Sequence, residues 1–174
     1  MGVRAEFTDF YERESLRLVR TVTLVTGEAA LAEEVVAEAF ARAWSRWPKV
    51  RTHARPDAWI MRVAINESRS RFRRRALERR LAHRVARPEH VTDPDPVVAQ
   101  PLWDAVALLG RRERTLIALR YVAGLPQAEI AEILGIPYGT VGSRLHYALQ
   151  RMRTSLENDD DSLEPRPAAG EVVP

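Results

Sequence analysis

The chain has 174 residues, of which 45% are hydrophobic and 29% are charged, a composition typical of globular domains. It contains no cysteine, which excludes disulfides, thiolate nucleophiles and cysteine-based zinc sites. The net charge of +3 is unevenly distributed, because residues 157–174 carry −5 and leave +8 for the remainder. No apolar stretch approaches the roughly 20 residues of a membrane helix, and the N-terminus lacks the apolar core of a signal peptide, so we expect a cytoplasmic protein without membrane insertion.

The first half of the chain predicts three amphipathic helices. Apolar residues recur every three or four positions over residues 6–25 and again over 29–47. Residues 48–56 predict a loop, because a proline stands at each end, and residues 56–83 predict the third helix. The inward stripe of the second helix is predicted to be Val36, Phe40, Ala43, Trp44 and Trp47.

The second half predicts another helical block after a proline-rich connection. Residues 86–101 contain four prolines and no sustained periodicity, which is typical of a linker. Helices are predicted over 102–109, 111–121, 127–134 and 138–156, and the last buries Val141, Leu145, Leu149 and Met152. The resulting fold class is all-α, with helical domains at 4–83 and 101–156, a flexible linker at 84–100, and a disordered acidic tail at 157–174.

Residues 127–145, QAEIAEILGIPYGTVGSRL, carry the packing signals of a helix–turn–helix. Gly135 supplies the left-handed backbone of the turn, and Pro137 can start the helix that follows. The outer face of this second helix is rich in hydrogen-bond donors, as a helix in the DNA major groove requires. A plain helical hairpin with a solvated face is the alternative. The basic character of the face favours DNA binding. The residues of this face include Thr140, Ser143, Arg144, His146, Tyr147 and Arg151.

Charged side chains also form patterns on the helices of the first block. Arg62, Asn66, Arg69 and Arg73 are spaced by four, three and four residues, so they line one side of a helix and can follow a phosphate backbone. On the preceding helix Glu34 and Glu38 share a face with Glu33 beside them. Spacing alone favours a solvated acidic face for these glutamates.

The two blocks together resemble the extracytoplasmic-function group of the sigma-70 family, in its short form with regions 2 and 4 only. AEEVVAEAFARAWSRW (32–47) and DAWIMRVAINESRSRFRRR (57–75) resemble region 2, and residues 111–153 resemble region 4. Neither similarity is specific alone, whereas the pair, in the order and spacing of the family, is specific. The resemblance implies a protein that binds core RNA polymerase and directs it to promoters through −10 and −35 elements.

The resemblance also implies roles for individual residues. The acidic helix would dock on the β′ clamp, with region 4 at the β flap. The polymerase-binding residues would be Glu33, Glu34, Glu38 and Arg42. The −10 element would be contacted by Lys49, Arg51, Arg55, Arg62, Asn66, Arg69 and Arg73. The −35 element would be contacted by Thr140, Ser143, Arg144, His146, Tyr147 and Arg151. The chain departs from the family at Gly142 and Tyr147, where basic residues are common.

Other functions explain less of the sequence. The four histidines, His53, His83, His90 and His146, lack metal-ligand spacing, and no phosphate-binding glycine loop is present, so neither an enzyme nor a metal or cofactor is predicted. A stand-alone helix–turn–helix regulator is the serious alternative. It leaves the first block unexplained and would usually need a dimer interface. The family resemblance also implies promoter DNA and an anti-sigma factor as partners.

Overall fold

The computed structural model describes residues 2–81 and 100–161, with side chains described for 2–78 and 104–157, and within these residues it contains helices and no strand. The predicted all-α fold class is therefore confirmed. The helices are α1 Val3–Thr26, α2 Ala29–Ser45, α3 Trp47–Val50, α4 Pro56–Leu81, α5 Gln100–Ala107, α6 Arg111–Ile117, α7 Gln127–Leu134 and α8 Tyr138–Asp161. A π-helical turn, Ala118–Val122, continues α6. The predicted linker, apart from Gln100, and the predicted tail beyond residue 161 lie outside the described residues.

The first domain is a bundle in which α1 packs on α2 and α4. Its core includes the fully buried Leu18, Val22, Val35, Ile60 and Ile65, which recur at helical spacing on the inward faces. An aromatic cluster closes one end of the bundle, and its rings belong to Phe7, Phe10, Tyr11, Phe40, Trp44 and Trp47.

One member of the predicted core stripe of α2 lies at the surface. Trp44 is 47% exposed, although its ring contacts that of Phe7 with centroids 4.9 Å apart. The residue before it, Ala43, is fully buried. Because consecutive helical residues are rotated by about 100°, Trp44 turns to the rim of the aromatic cluster, where one face of the indole packs and the other meets solvent.

The second domain packs α8 against α5, α6 and α7. The predicted stripe of α8 is wrong at one position. Leu149 is 40% exposed, whereas Ala148 is fully buried. The inward residues Val141, Leu145, Ala148 and Met152 follow spacings of four, three and four, which keep them on one face of the helix. Leu149 falls outside that face.

Two helical segments extend beyond the prediction. Within the predicted loop 48–56, the short helix α3 forms because Trp47 and Val50 are buried and fasten the turn to the bundle. Helix α8 continues through Asp161, into the segment predicted to be disordered. The side chain of Arg153 donates to Glu157 one turn later at 2.7 Å, an i,i+4 pair that favours continuation of the helix.

The two domains contact each other along α1 and α4. Helix α1 meets α6 and the π turn, and α4 meets α7. The guanidinium of Arg17 joins the two domains, because it donates to Glu14 at 2.6 Å, to Asp57 at 3.3 Å, and to the main-chain carbonyl of Ala123 at 3.1 Å. Arg55 hydrogen-bonds both Asp57 and Glu129 of α7. The hydrogen bonds from Arg55, and then from Arg17, lower the pKa of Asp57 to about 2, against an opposing effect of burial.

The turn of the helix–turn–helix gives the first prediction. Gly135 ends α7 with φ 64°, and its N–H donates to the carbonyl of Ala131. An alanine there must adopt the left-handed conformation, so we expect Gly135→Ala to lower the free energy of unfolding by about 1 kcal/mol. Gly139 lies inside α8 with open space around it, so Gly139→Ala should raise that free energy by up to about 1 kcal/mol. Urea denaturation measures both, and equal effects would contradict the assignment of the turn.

The Asp57 network gives a pH-dependent prediction. Asp57→Asn should lower the free energy of unfolding at neutral pH, because Arg17 and Arg55 lose their carboxylate partner. Since the folded-state pKa is depressed, the difference from wild type is full above the ordinary value of 3.8 and is lost as the pH falls through about 2. Denaturation at a series of pH values measures this difference in the free energy of unfolding. Asp9→Asn, on the exposed side of α1, is the control. A difference of equal size and pH dependence there would contradict the role of Asp57.

Candidate nucleic-acid and polymerase interface

The acidic face of α2 is part of a charge network with α4. Arg71 of α4 donates to Glu34 and Glu67 at 3.1 Å each. Arg42 donates to Glu67 at 2.9 Å and to Glu38 at 2.8 Å. The structure therefore brings three of the four predicted polymerase-binding residues together, and it adds Glu67 and Arg71, which the sequence reasoning missed although they are four residues apart.

Glu33 stands beside this network and is exposed, with no ion pair to a described residue. The network is a surface feature, because Glu34 and Arg42 remain about half-exposed or more. Such exposed pairs contribute little stability each, on the order of 0.2–1 kcal/mol. They hold the carboxylates of α2 in defined positions, and a basic partner surface can still reach them.

Three of the residues predicted to contact the −10 element are exposed, and one of them, Arg73, also lines the cleft between α4 and α6. Lys49 lies at the end of α3, and Asn66 and Arg73 lie on the exposed side of α4. Arg51, which follows α3, pairs with Glu6 of α1 at 3.0 Å.

The other three residues of the predicted −10 set are held by α7 of the second domain. Arg55 donates to Glu129, Arg62 donates to Glu132 at 3.2 Å, and Arg69 reaches the main-chain carbonyl of Leu134 at 3.4 Å. Oxygens of α7 therefore lie where phosphate oxygens would lie if these arginines tracked a DNA backbone. Residue spacing in α4 predicts that the arginines share one side, but nothing local predicts their contact with a helix about seventy positions later.

The predicted −35 set is divided between two environments. Ser143, His146 and Tyr147 lie on the exposed face of α8, and the His146 and Tyr147 rings are 5.8 Å apart. The hydroxyl of Ser143 donates to the carbonyl of Gly139 at 3.1 Å, as is common inside helices. Thr140 is half-buried at the start of the same face.

The two arginines of the set have different surroundings from those three side chains. Arg151 donates to Glu113 at 2.7 Å and to the carbonyl of Leu108 at 3.1 Å, which ties α8 to the corner between α5 and α6. Arg144 is half-buried and lines the cleft between α4 and α6. The structure thus separates these two cations from the exposed side chains with which the sequence grouped them.

Gly142 lies against α7. A Cβ atom built on Gly142 would lie 3.4 Å from the side-chain oxygen of Gln127. The residue therefore faces the neighbouring helix of the helix–turn–helix.

Within residues 2–78 and 104–157, no group of three or more His, Asp or Glu side chains is placed to hold a metal ion. Of the four histidines, His83 and His90 lie outside the described residues. The helices of the described ranges are too short or too polar for any of them to cross a membrane.

Comparison with protein families assigns both domains. Residues 10–78 match the family model for sigma-70 region 2, and residues 99–152 match that for sigma-70 region 4. Together these matches cover well over half of the chain. They account for the first domain, which the stand-alone regulator hypothesis left unexplained.

Curated relatives agree with this assignment. The extracytoplasmic-function RNA polymerase sigma factor SigL of Mycobacterium tuberculosis is 39% identical over 157 residues, covering 84% of this chain and 86% of SigL. The RNA polymerase sigma-E factor of Streptomyces antibioticus is 32% identical over 161 residues, covering 91% of this chain and 89% of the relative.

Solved structures share the fold. The sigma factor RpoE of Bartonella quintana, solved with the anti-sigma factor NepR, has a TM-score of 0.73 and 24% identity, covering 87% of this chain and 98% of RpoE. CnrH, solved with the cytosolic domain of CnrY, has a TM-score of 0.60 and 23% identity, covering 90% of each chain. The chain therefore belongs to the sigma-70 family and is an RNA polymerase sigma factor of the extracytoplasmic-function group, with regions 2 and 4 only.

Proposed function

We propose that this sigma factor reads the −35 element with the exposed face of α8 and the −10 element with the basic side of α4 and the loop after α3. The observation that supports the proposal most strongly is the presence of both surfaces in one chain whose two domains match regions 2 and 4. The domain boundaries would be 4–83 and 101–156. Each surface is small, so neither alone gives high affinity, and core polymerase would hold both at the separation of the two elements.

The −35 contacts would come from Ser143, His146 and Tyr147. Their hydroxyl and imidazole groups are donors and acceptors for base edges, and the aromatic ring of Tyr147 can contact a thymine methyl group. Thr140 would contribute at the start of the helix. Arg144 would join them only when α4 no longer lies across the cleft that it lines.

The −10 contacts would follow the family pattern. Asn66 and Arg73 are exposed on α4 and Lys49 on α3, where they can reach bases and phosphates of an opened strand. Arg51, Arg55, Arg62 and Arg69 would add phosphate contacts. For the last three, this requires that α7 move away from α4, because its oxygens now accept their hydrogen bonds.

Docking on the core polymerase would use α2. Glu33, Glu34, Glu38 and Arg42 form an exposed acidic face, suited to a basic helical surface such as the β′ clamp, with the second domain at the β flap. Binding, without a chemical step by this chain, would be its entire contribution to initiation.

We infer a cytoplasmic location, where polymerase and chromosomal DNA are found. We also infer control by an anti-sigma factor, because the solved structures RpoE and CnrH are complexes with NepR and CnrY.

Run-off transcription with sigma-free core polymerase tests the residue roles. Tyr147→Ala and Asn66→Ala should each lower transcription from cognate promoters by about tenfold, since one lost base contact corresponds to about 1–3 kcal/mol. Both side chains are exposed, so folding should be unaffected. Tyr121→Ala, which removes an equally exposed tyrosine from the π turn, is the matched control. Wild-type levels in both variants would contradict the proposed base contacts. Absence of any core-dependent transcript, with sequence-specific duplex binding by the free protein, would favour the stand-alone regulator.

The contact between α7 and α4 gives a second test. The double variant Glu129→Gln, Glu132→Gln should raise the affinity of the free protein for promoter duplex by roughly three- to tenfold at low salt. It removes the ion pairs that join Arg55 and Arg62 to α7, while Arg55 keeps its hydrogen bonds to Asp57, and each such surface pair contributes about 0.2–1 kcal/mol. Asp9→Asn, Glu12→Gln makes the same change in net charge on α1 and is the control. An equal rise in affinity in both double variants would show that the effect comes from net charge alone and would contradict the proposal.

A further inference from the structure

A cleft of about 1010 Å³ separates α4 of the first domain from α6 and α8 of the second. Five arginines line it: Arg69, Arg73, Arg111, Arg112 and Arg144. Its one acidic lining residue is Glu113, which already accepts hydrogen bonds from Arg151 at 2.7 Å and from the backbone N–H of Gly110 at 2.9 Å. The cleft therefore holds a concentration of positive charge that its own wall does not neutralise.

Three of the five cleft arginines are poorly compensated by the rest of the described chain, whereas the Arg111 guanidinium stacks on the Phe72 ring, 3.6 Å from its centroid. Arg73, Arg112 and Arg144 form no ion pair or hydrogen bond with a described residue. Arg69 makes only long contacts, at 3.4 Å, with the carbonyl of Leu134. Burial and the nearby charges of Arg73 and Arg112 lower the pKa of Arg69. Mutual repulsion of these cations opposes the contact between the domains, and a bound anion would remove it.

The geometry favours a particular class of anion. Two of the guanidinium groups come from the α4 wall and three from the α6 and α8 side, so a ligand must accept hydrogen bonds from both directions. A carboxylate has two coplanar oxygens and one charge, whereas linked phosphoryl groups carry several charges and oxygens that point in all directions. Arginine forks bind phosphoryl oxygens in a bidentate manner.

We propose that this cleft binds a polyphosphate group, either inorganic or carried by a nucleoside polyphosphate, and that the bound anion bridges the two domains. The binding itself is independent of the promoter roles assigned above. Its consequence for transcription rests on them: Arg69, Arg73 and Arg144 would be withdrawn from DNA while the anion is bound, so the ligand would compete with promoter DNA.

Isothermal titration of the full chain with inorganic tripolyphosphate at constant ionic strength tests the site. Arg112→Gln, an exposed cleft residue outside the proposed promoter contacts, should weaken binding by roughly tenfold, the loss expected for one charge-assisted contact. Arg153→Gln removes the same charge from the far part of α8 and should leave the affinity unchanged. ATP is titrated in parallel. Tighter binding of ATP than of tripolyphosphate assigns the site to nucleotides, and equal or weaker binding assigns it to inorganic polyphosphate.

Three outcomes would overturn the proposal. The first is no saturable binding of tripolyphosphate or ATP. The second is equal weakening by Arg112→Gln and Arg153→Gln, which would indicate a diffuse ion atmosphere. The third is binding of hexaglutamate as tightly as tripolyphosphate with the same dependence on Arg112, which would assign the cleft to an acidic peptide.

Bridging is tested by a distance measurement. The chain has no native cysteine, so the exposed positions Ala41 and Thr154 can be spin-labelled uniquely after Ala41→Cys and Thr154→Cys. Tripolyphosphate should narrow the distribution of distances between α2 and α8 in the wild-type background and leave it unchanged with Arg112→Gln. An unaltered distribution at saturating anion would refute the bridging role even if the anion binds. Loss of promoter activity in the variants of the preceding section would leave this result unaffected.

Discussion

The positive charge of α4 is the constraint on which the arrangement of this sigma factor depends. Every arginine on that helix must find a counter-charge, an acceptor or water. On one side Arg71 donates to the carboxylate of Glu34 in α2. On another side Arg62 and Arg69 donate to the carboxylate of Glu132 and the main-chain carbonyl of Leu134 in α7. Each of these pairs is individually weak. Together they join the charged sides of α4 to α2 and α7, beside the apolar core that packs the helices.

In this arrangement α7 occupies arginines of the first domain that are proposed to contact DNA phosphates. Arg55, Arg62 and Arg69 contact oxygens of α7 at hydrogen-bond distances, and the same side chains are the proposed phosphate contacts. The contact is also imperfect, because the second carboxylate oxygen of Glu129 is buried without a hydrogen-bond partner in the described residues. A surface held by exposed ion pairs and a poorly satisfied carboxylate is easier to open than an apolar one. That property suits the proposed function, in which the two domains would separate to reach two promoter elements.

The arginine-lined cleft follows from the same contact. Bringing α4 against the second domain places Arg69 and Arg73 opposite Arg112 and Arg144, so the attraction near α7 is accompanied by repulsion a short distance away. The contact between the domains therefore combines electrostatic attraction at α7 with repulsion in the cleft. Small changes in ionic conditions or ligand concentration can shift such a balance.

The sequence by itself determined the local features. Apolar periodicity, the prolines and Gly135 were sufficient for the all-α class, the order of the long helices and the helix–turn–helix, because these depend on residues within a few turns of one another. The paired motifs were sufficient for the sigma-70 family. Tertiary structure alone decided which predicted residues stand free in solvent. Arg151 donates to Glu113, Arg144 lines the cleft, and Arg62 and Arg69 donate to α7. Such contacts between distant segments depend on how the domains pack. Helical periodicity carries no information about that packing.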